Sequence, residues 1–544
     1  MLVRQFSRRS YRAIFKWGDP KVFYEVKPAI RRFVTERLGV DAERLPGPVH
    51  PGLQEVSDLA GPRLPEGVCE RLERIVGQDN VSTDVHDRLR FWTGATAVDA
   101  LRLRLGRVQG TADAVVHPRS EQEIVEILAL CQEQGLAVVP TGGRTTVTGA
   151  LDPGRSGIAL DLTRHLNRVL GISEADLTAR VQPGILGPEY EEHLERRGFT
   201  CGHFPQSFEF ATPGGWVAAK GAGQQSTYYG KAEDFLVALR CATPRGLLAT
   251  RDFPRASIGP DLAGMIAGSE GSFGVITELT LRIWPRHPQV PFCFMFHCFD
   301  DGADFLRTLI QAGVGHPGVS RLSDGEETDA AFQLDGLAGT GADRWLRRLG
   351  YVPGQRALFI GASEGDRLTG AALAARAHAL ALRRGGLPLG SAPLRKWAKR
   401  RFHDPYLRDD LMDMGVVVDT LETAVPWSGL ARLRRGVRAA IKSRPRTAAL
   451  AHISHAYEHG ANLYFIFMSP LAVGDELDDF QRYHGQIVDA IVEHGGSLSH
   501  HHGIGRLFAS RLPAQIGEVG HGMIGALKRY LDPERIMNPG ALGL

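Results

Sequence analysis

The sequence lacks several features that would place it in a special class of protein. Its 544 residues contain no run of about 18 or more apolar residues, so no transmembrane helix is predicted. The formal net charge is only +3, which argues against a protein that coats nucleic acid. The six cysteines form no C-x-x-C pair and no cluster with zinc-ligand spacing. We therefore expect free thiols, a cytoplasmic location and no metal site.

What is present indicates an ordinary globular protein with several folding units. Apolar residues make up 43% and charged residues 23% of a chain that is too long for one core. Strands and helices alternate from about residue 106 to 287, which predicts an α+β fold class. We expect an N-terminal helical extension over residues 1–105, a first domain over 106–287, a second α+β domain over 288–470 and a C-terminal helical segment over 471–544.

The N-terminus is basic and aromatic. It carries Arg4, Arg8, Arg9, Arg12 and Lys16 among Phe6, Tyr11, Ile14, Phe15 and Trp17. No apolar stretch follows these residues, so the pattern is not that of a secretory signal. Two interpretations are open: a helix that lies on an anionic membrane surface, or a helix packed against the protein by its aromatic side chains.

Three glycine-rich stretches lie within the first domain, and we call them the first, second and third glycine turns. They cover residues 140–146, which directly follow a predicted strand at 136–139, residues 206–223, and residues 268–276. Glycines let the backbone approach a ligand closely, and free backbone N–H groups after a strand suit an anion. Together the three turns predict a site for an elongated, phosphate-bearing cofactor.

Histidine, tyrosine and arginine residues mark the second half of the chain. His500, His501 and His502 are consecutive and precede Gly-Ile-Gly. In an extended segment His500 and His502 would share one face, and imidazoles suit proton transfer near neutral pH. Tyr464 follows a turn and enters an aromatic strand, where it is either a core residue or an acid/base. Arg408 and Arg321 are each either ligands for an anion or partners in surface ion pairs.

These motifs resemble those of the alkyldihydroxyacetonephosphate synthase branch of the vanillyl-alcohol-oxidase/PCMH flavoprotein superfamily. The resemblance implies a two-lobed PCMH-type FAD-binding domain, an α+β cap domain that binds substrate, and non-covalent FAD. It also implies which residues contact FAD. These residues are Pro140, Thr141, Gly142, Gly143, Arg144, Thr145, Thr146, Gln206, Ser207, Phe208, Glu209, Phe210, Ala211, Thr212, Gly215, Trp216, Val217, Ala218, Glu270, Gly271, Ser272, Phe273, Gly274, Val275 and Ile276.

The resemblance further implies a role for each polar residue of the second half. Tyr464 would be the catalytic acid/base, assisted by His500, His501 and His502, with the histidines supplying the positive charge that lowers the pKa of the phenol. Arg408 would hold a substrate phosphate, and Arg321 is a second candidate. Two departures stand out: Arg144 replaces a third glycine, and the ending Asn538-Pro539-Gly540 is typical of the wider flavin-oxidase superfamily.

The expected function is an FAD-dependent exchange of the acyl chain of acyl-dihydroxyacetone phosphate for a fatty alcohol, without net redox. The alternative is an FAD-linked oxidase or dehydrogenase of a 2-hydroxy acid or alcohol, which the Asn538-Pro539-Gly540 ending favours. A flavin-carrying binding protein would explain the glycine turns but not the Tyr, His and Arg residues. Partners would be small-molecule lipid substrates and no nucleic acid, while peripheral membrane contact and a homodimer are left open.

Overall fold

The computed structural model describes residues 14–18, 28–41, 59–108 and 110–544. Most of the expected N-terminal basic helix, including Arg4, Arg8, Arg9 and Arg12, lies outside these ranges. Residues 14–18 form bends instead of a helix, and Ile14, Phe15 and Trp17 are buried in the protein. The backbone N–H of Trp17 donates to Asp409 Oδ2 at 2.6 Å. These three apolar side chains therefore pack inside the fold, as the second interpretation of this segment expects.

The N-terminal region contributes helices and one short strand. Its helices are α1 (Pro28–Leu38), α2 (Val68–Val76), α3 (Val85–Arg90) and α4 (Ala97–Arg104). Its strand β1 (Val81–Ser82) pairs antiparallel with β2 (Ala114–Val116) of the first domain. The region is therefore not purely helical, because β1 adds an edge to the sheet of its neighbour.

The first domain has two lobes, and the first lobe is a four-stranded sheet. Strand β2 is followed by helix α5 (Glu121–Gln134) and strands β3 (Ala137–Thr141) and β4 (Gly157–Asp161), in the spatial order β1-β2-β4-β3. Ser120 caps α5 by accepting from the Glu123 N–H, and Gly135 ends it in a left-handed conformation. Strands β2, β4 and β3 are parallel, so the carboxyl end of β3 delivers the first glycine turn at the edge of the sheet.

The second lobe is an antiparallel sheet with the spatial order β5-β6-β10-β8-β9. Its strands are β5 (Val169–Ser173), β6 (Thr178–Val181), β8 (Leu236–Thr243), β9 (Gly246–Ala249) and β10 (Val275–Arg282). Between them lie α6 (Gly187–Glu195), β7 (Phe199–Thr200), α7 (Pro213–Ala218), α8 (Ser226–Tyr229), α9 (Ala232–Phe235) and α10 (Leu262–Ile266). Strand β7 pairs with β11 (Trp284–Pro285). The second and third glycine turns belong to this lobe.

The cap domain is built on an eight-stranded antiparallel sheet of order β16-β13-β15-β14-β18-β19-β17, with β12 paired to β15. Its strands are β12 (Val290–Pro291), β13 (Phe294–Phe296), β14 (Val319–Ser323), β15 (Ala357–Ser363), β16 (Leu387–Pro388), β17 (Val416–Pro426), β18 (Ala448–Ile453) and β19 (Gly460–Pro470). Its helices are α11 (Phe299–Gln311), α12 (Gly325–Leu334), α13 (Gly341–Arg348), α14 (Arg367–Leu382), α15 (Ala392–Arg400), α16 (Asp404–Asp413) and α17 (Leu430–Lys442). The sequence predicted the ends of this region but not its middle strands.

The C-terminal segment contains α18 (Glu476–Glu493) and α19 (Leu512–Leu531), and it is shared between the domains. Helix α18 packs on the cap, where Phe480 and Ile487 join the core of the large sheet. Farther along, Met537 forms a parallel bridge with Val138 of β3, and the Asn538 N–H donates to the Val138 carbonyl. Residues 536–538 therefore return to the first lobe and extend its sheet.

Within the described ranges, none of the helices combines the length and the hydropathy needed to cross a bilayer. All six cysteines are free thiols. Four are buried, while Cys69 and Cys298 are partly exposed.

Candidate active site

The three glycine turns meet at one place. A Cβ atom placed on Gly143 would collide with the carbonyl of Phe210, and one on Gly142 would collide with the hydroxyl of Thr212. The first turn therefore packs its backbone directly on the second, which requires glycine at these positions. The second turn is joined to the third by hydrogen bonds from the Gly268 N–H to Val217 O and from the Glu270 N–H to Ala218 O, both at 2.9 Å.

Not every residue of the predicted cofactor set has its side chain free to face a ligand. Gln206 donates to Asp404 Oδ2 at 2.7 Å, and Glu209 accepts from the Tyr406 hydroxyl at 2.6 Å, so both contact α16 of the cap. Arg144 has a left-handed backbone with φ 54°. Its guanidinium stacks over Phe91 and donates to the Arg90 carbonyl. The side chain that replaces the expected glycine thus binds the N-terminal region.

Tyr464 lies on β19 inside a cage of imidazole rings. It stacks on His452 with centroids 4.9 Å apart and on His501 at 5.9 Å, and it meets the edge of His502 at 5.7 Å. His452 accompanies Tyr464 because β18 and β19 pair these two residues in register. Tyr464 and these three imidazoles therefore form one cluster of titratable rings around the predicted acid/base.

His500 points elsewhere. Its Nε2 lies 2.6 Å from the Tyr457 hydroxyl, and its Nδ1 lies 3.0 Å from His501 Nδ1. The expectation that His500 and His502 share a face held for an extended segment, but residues 500–502 form bends, and the two rings contact different tyrosines. His500 and His501 therefore make a path from Tyr457 to the ring of Tyr464.

Glu422 causes the bend. This buried carboxylate on β17 accepts from the backbone N–H groups of His500, His501 and His502 and from the Ser499 hydroxyl at 2.6–3.2 Å. Burial alone would raise the pKa of Glu422, but the interaction with His501 and the hydrogen bonds that the carboxylate accepts hold it well below its ordinary value. Sequence reasoning missed Glu422, and no local signal marks it, because it lies about 80 residues before the triplet.

The charges at Tyr464 differ from the sequence-based expectation. Burial raises the pKa of the phenol, and the carboxylates of Glu422 and Asp419 raise it further. Burial also lowers the pKa of His502 to about 4, and lowers that of His500 well below its ordinary value. These two histidines are therefore neutral at pH 7 and do not lower the pKa of the phenol. Tyr464 remains a protonated phenol that can donate a hydrogen bond.

The two predicted anion ligands are already partly used by the protein. Arg408 donates through Nε and Nη2 to Asp409 Oδ1 at 3.0 and 2.8 Å, and through Nη1 to the Ala95 carbonyl at 2.6 Å. Arg321 donates to Glu327 Oε1 at 2.6 Å and lies 3.1 Å from His452 Nδ1. Arg321 therefore belongs to the cluster around Tyr464, whereas Arg408 lies at the junction of α16 with the N-terminal region.

Comparison with known proteins decides the family. Residues 112–251 match the family described as "FAD binding domain", and residues 286–542 match "FAD linked oxidases, C-terminal domain". The chain is 32% identical to the alkyldihydroxyacetonephosphate synthase of Caenorhabditis elegans over 94% of its own length and 88% of that protein. It is 30% identical to the synthase of Dictyostelium discoideum over 96% and 88% of the two chains. A solved alkyldihydroxyacetonephosphate synthase structure superposes with TM-score 0.83 at 27% identity over 99% of both chains.

The chain belongs to the alkyldihydroxyacetonephosphate synthase family. It is an FAD-dependent enzyme with the two-lobed FAD-binding domain and α+β cap of the PCMH-type flavoproteins. The ending Asn538-Pro539-Gly540, which is typical of the wider flavin-oxidase superfamily, therefore also occurs in a member of this family.

The glycine turns of this synthase family member fit FAD. Among the described residues, none accepts a hydrogen bond from the backbone N–H groups of Gly142, Gly143 and Thr145. The hydroxyl of Ser272 and the indole N–H of Trp216 are buried without a partner in the same part of the chain. Buried polar groups are normally satisfied, so these donors are expected to bind the pyrophosphate and the ring system of the cofactor.

Asn538 ties the cofactor turns to the histidines in this family member. Its side chain donates to the carbonyls of Ala150 and Glu270 at 3.0 and 2.6 Å. The Glu270 carboxylate in turn accepts from the N–H groups of Ile504 and Gly505 at 2.6 and 2.7 Å. Burial raises the pKa of Glu270 to about 7 although these N–H groups oppose the rise. Asn538 therefore holds the third glycine turn on one side. The loop of residues 499–505, which carries the three histidines, holds it on the other side.

One arrangement of histidines could hold a metal ion. Ring nitrogens of His455, His500 and His501 lie within 4.8 Å of one another. Each ring also has a partner in the protein: His455 Nε2 lies 2.8 Å from the Gly223 carbonyl, and His500 and His501 contact each other. The absence of a metal site therefore stays a prediction.

Proposed function

We propose that this protein exchanges the acyl chain of acyl-dihydroxyacetone phosphate for a fatty alcohol. In this reaction the bond between C1 and the carboxylate oxygen breaks, and a bond between C1 and the alcohol oxygen forms. The carboxylate leaves, and the alcohol proton passes to a base. The observation that carries the proposal is the stacking of Tyr464 against His501 beside turns that fit FAD, in a member of the synthase family.

The residues around Tyr464 suit the proton transfers of this exchange. Tyr464 would act at C1 of the substrate as a neutral phenol that donates a proton, and the uncharged ring of His502 would accept one. His501, which stacks on Tyr464, would assist this transfer. Glu422 would fix the orientation of the triplet through its hydrogen bonds to the backbone. Bound FAD would supply an electron-accepting ring system, and the exchange needs no net transfer of electrons.

The phosphate of the substrate needs a cation. Arg408 uses three of its five N–H donors within the protein, so two N–H groups remain for an oxyanion. Arg321 lies nearer to Tyr464 but is paired with Glu327. We propose Arg408 as the phosphate ligand and Arg321 as the charge that positions His452 and Tyr464.

A second candidate function is FAD-linked oxidation of a 2-hydroxy acid or alcohol. The match of residues 286–542 to the C-terminal domain of FAD-linked oxidases favours it. The same phenol and imidazoles could accept the hydroxyl proton of such a substrate while an arginine binds its carboxylate.

One experiment separates the two functions. FAD-loaded protein is incubated anaerobically with acyl-dihydroxyacetone phosphate and hexadecanol, and products are measured by mass spectrometry. We expect alkyl-dihydroxyacetone phosphate and one equivalent of fatty acid, with the flavin still oxidised at the end. Absence of the ether product, together with bleaching of the flavin by a 2-hydroxy acid, would show that the protein is an oxidase or dehydrogenase.

We also propose that the enzyme contacts membranes peripherally, since both lipid substrates partition into bilayers. Helix α19 supports this proposal. Gly517 breaks the helix with φ 76°, and beyond it Val519, Met523 and Tyr530 are 79%, 68% and 66% exposed. Met523 and Tyr530 lie four and eleven residues after Val519, so the three side chains lie on one face of the helix. A homodimer formed through the same face is the competing use of this surface.

A further inference from the structure

Arg401 lies where the cap meets the FAD-binding domain. It follows α15 directly, its N–H donates to the Trp397 carbonyl, and its carbonyl accepts from Gln224 Nε2 at 3.1 Å. The next residue, Phe402, stacks on Phe208 of the second glycine turn with centroids 5.7 Å apart. The residue is 6% exposed. Arg401 is therefore buried between the two domains, beside a stretch that is expected to bind FAD.

The guanidinium of Arg401 is held by aromatic rings alone. Its central carbon lies 5.0 Å from the ring centre of Phe204, 5.3 Å from that of Trp397 and 4.7 Å from that of Phe402. Nε is buried without a hydrogen-bond partner, and no residue of the described ranges forms an ion pair with the side chain. Burial lowers the pKa of Arg401 to about 10, so the side chain is still a cation at neutral pH.

The nearby carboxylates do not compensate this charge by direct contact. Glu364 and Glu191 interact with it over a longer distance. Glu364 accepts hydrogen bonds from the side chains of Gln225, Tyr229 and Gln289. Glu191 accepts from the Thr200 hydroxyl and the Cys201 N–H, both at 2.8 Å. Both acids are thus committed to other donors.

Burying a cation without a hydrogen-bonded anion costs free energy, unless a bound ligand supplies the anion. Arg408 and Arg321, by contrast, donate to Asp409 and Glu327. The aromatic rings around Arg401 fix the plane of its guanidinium and exclude water, which strengthens any charge pair formed there. A fixed planar fork of N–H donors is the arrangement that binds phosphate and carboxylate groups in two-point contacts.

We propose that Arg401 binds an oxyanion of the substrate or product, either a phosphate monoester or a carboxylate, between the cap and the FAD-binding domain. The inference rests on the proposed function, whose substrate carries a phosphate and whose leaving group is a fatty carboxylate. Arg401 would then be a second anion-binding residue beside Arg408.

Calorimetric binding to the FAD-loaded protein tests this role without any turnover. The probes are dihydroxyacetone phosphate and, separately, decanoate, with no fatty alcohol present. The variant Arg401→Met removes the charge, and Arg400→Met is the matched control, because Arg400 is exposed and pairs with Asp335. We expect Arg401→Met to weaken binding of one probe at least tenfold, while Arg400→Met binds both probes as the wild type does.

The probe that is weakened identifies the source of the oxyanion, phosphate or carboxylate. Unchanged binding of both probes by Arg401→Met with an intact flavin spectrum overturns the inference, and so does a wild type that binds neither probe at millimolar concentration. If Arg401→Met loses its flavin, Arg401→Lys is measured instead. It should bind the same probe more weakly for lack of the planar fork, and wild-type affinity in this variant also overturns the inference. A missing alkyl product would refute the proposed function but leave this binding result intact.

Discussion

The phenol of Tyr464 and the imidazole of His502 share one electrostatic condition. Burial favours the uncharged form of both, so the pKa of Tyr464 is raised while that of His502 is lowered to about 4. Near neutral pH the phenol is therefore a proton donor and the His502 ring a proton acceptor. A proton passed between them would leave an adjacent pair of opposite charges and not an isolated charge, which a poorly solvated site disfavours most.

Replacing Tyr464 by phenylalanine removes the hydroxyl and keeps the ring stacks. We expect kcat for ether formation to fall by about 10²–10⁴, the usual range for loss of a general acid or base. FAD content and melting temperature should stay unchanged. Tyr530→Phe is the control, because that ring is 66% exposed. A Tyr464→Phe enzyme that keeps at least a third of the wild-type kcat would exclude this residue as the acid/base.

His502 makes stability depend on pH. Its ordinary pKa is 6.5, and burial lowers it to about 4 in the folded protein. Between these values the unfolded chain binds more protons, so the contribution of His502 to stability is complete above pH 6.5 and is lost as the pH falls toward 4. The loss amounts to roughly 3 kcal/mol.

Thermal unfolding of wild type and His502→Gln across pH 7 to pH 4 measures this effect. The wild-type melting temperature should fall more steeply with acidity than that of the variant, because glutamine does not titrate. Parallel curves would mean that His502 is not held neutral by the fold. His86→Gln is the control, since that histidine is exposed in the first turn of α3.

The sequence allows the chemical roles of single residues to be predicted, but not the positions and directions of their side chains. The triplet His500–His502 and Tyr464 can be recognised from the sequence, and the structure brings three of them together. The direction of each ring depends on Glu422, which lies on β17 and comes near only when β17 and β19 pair. Tertiary contacts of this kind leave no local pattern, and the same holds for the aromatic cage of Arg401.

At the scale of elements, the third glycine turn is held by two other segments of the chain. Asn538 holds it from the side of β3, and Glu270 links it to the loop that carries the histidines. Both residues have left-handed backbones, with φ of 37° for Asn538 and 50° for Glu270. Neither is glycine, so side-chain hydrogen bonds must offset the cost of these conformations.

Asn538→Ala should therefore weaken FAD binding. The change removes two donated hydrogen bonds and one accepted from Arg506 at 2.8 Å. Each is worth about 1 kcal/mol, so we expect the dissociation constant for FAD to rise about 10- to 100-fold in a titration of the apoprotein. Asn167→Ala, which loses a hydrogen bond to the Thr163 carbonyl that involves no residue of the turns, should bind FAD normally. Equal affinities of the two variants would refute the supporting role.

Elements with one buried face have a periodicity that can be read from the sequence. Strand β6 and helix α5 have this character, because their buried residues recur at strand and helix spacing. Strand β17 was missed because both of its faces are covered, so nearly every residue from Val416 to Val425 is buried and no alternation appears. A continuous run of apolar residues has no periodicity that separates a buried strand from a buried helix.

At the scale of the whole molecule, the reactive groups come from three regions that are far apart in sequence. The glycine turns lie in the FAD-binding domain, Tyr464 in the cap and the histidines in the C-terminal segment. The fold class and the cofactor could be predicted from motifs within each region. The way in which the regions interlock, with residues 536–538 returning to β3, could not.

The exposed face of α19 gives a prediction about the whole molecule. The double variant Val519→Asp with Met523→Asp should reduce co-sedimentation with anionic vesicles at least tenfold, since each buried side chain contributes about 1.5–3 kcal/mol. Leu368→Asp with Leu382→Asp on α14 is the matched control, because these residues are 84% and 61% exposed. Unchanged sedimentation of the α19 variant refutes membrane contact through this face. A shift from dimer to monomer on gel filtration would assign the face to self-association.

The bridge between Met537 and Val138 has a consequence for biosynthesis. Nearly 400 residues separate the first glycine turn from Asn538, and ribosomes add roughly 5–20 residues per second. The nascent turn therefore waits roughly 20–80 s for the segment that completes its sheet. During that interval the edge of β3 is uncovered, so newly made chains are open to non-native strand pairing until residues 536–538 arrive.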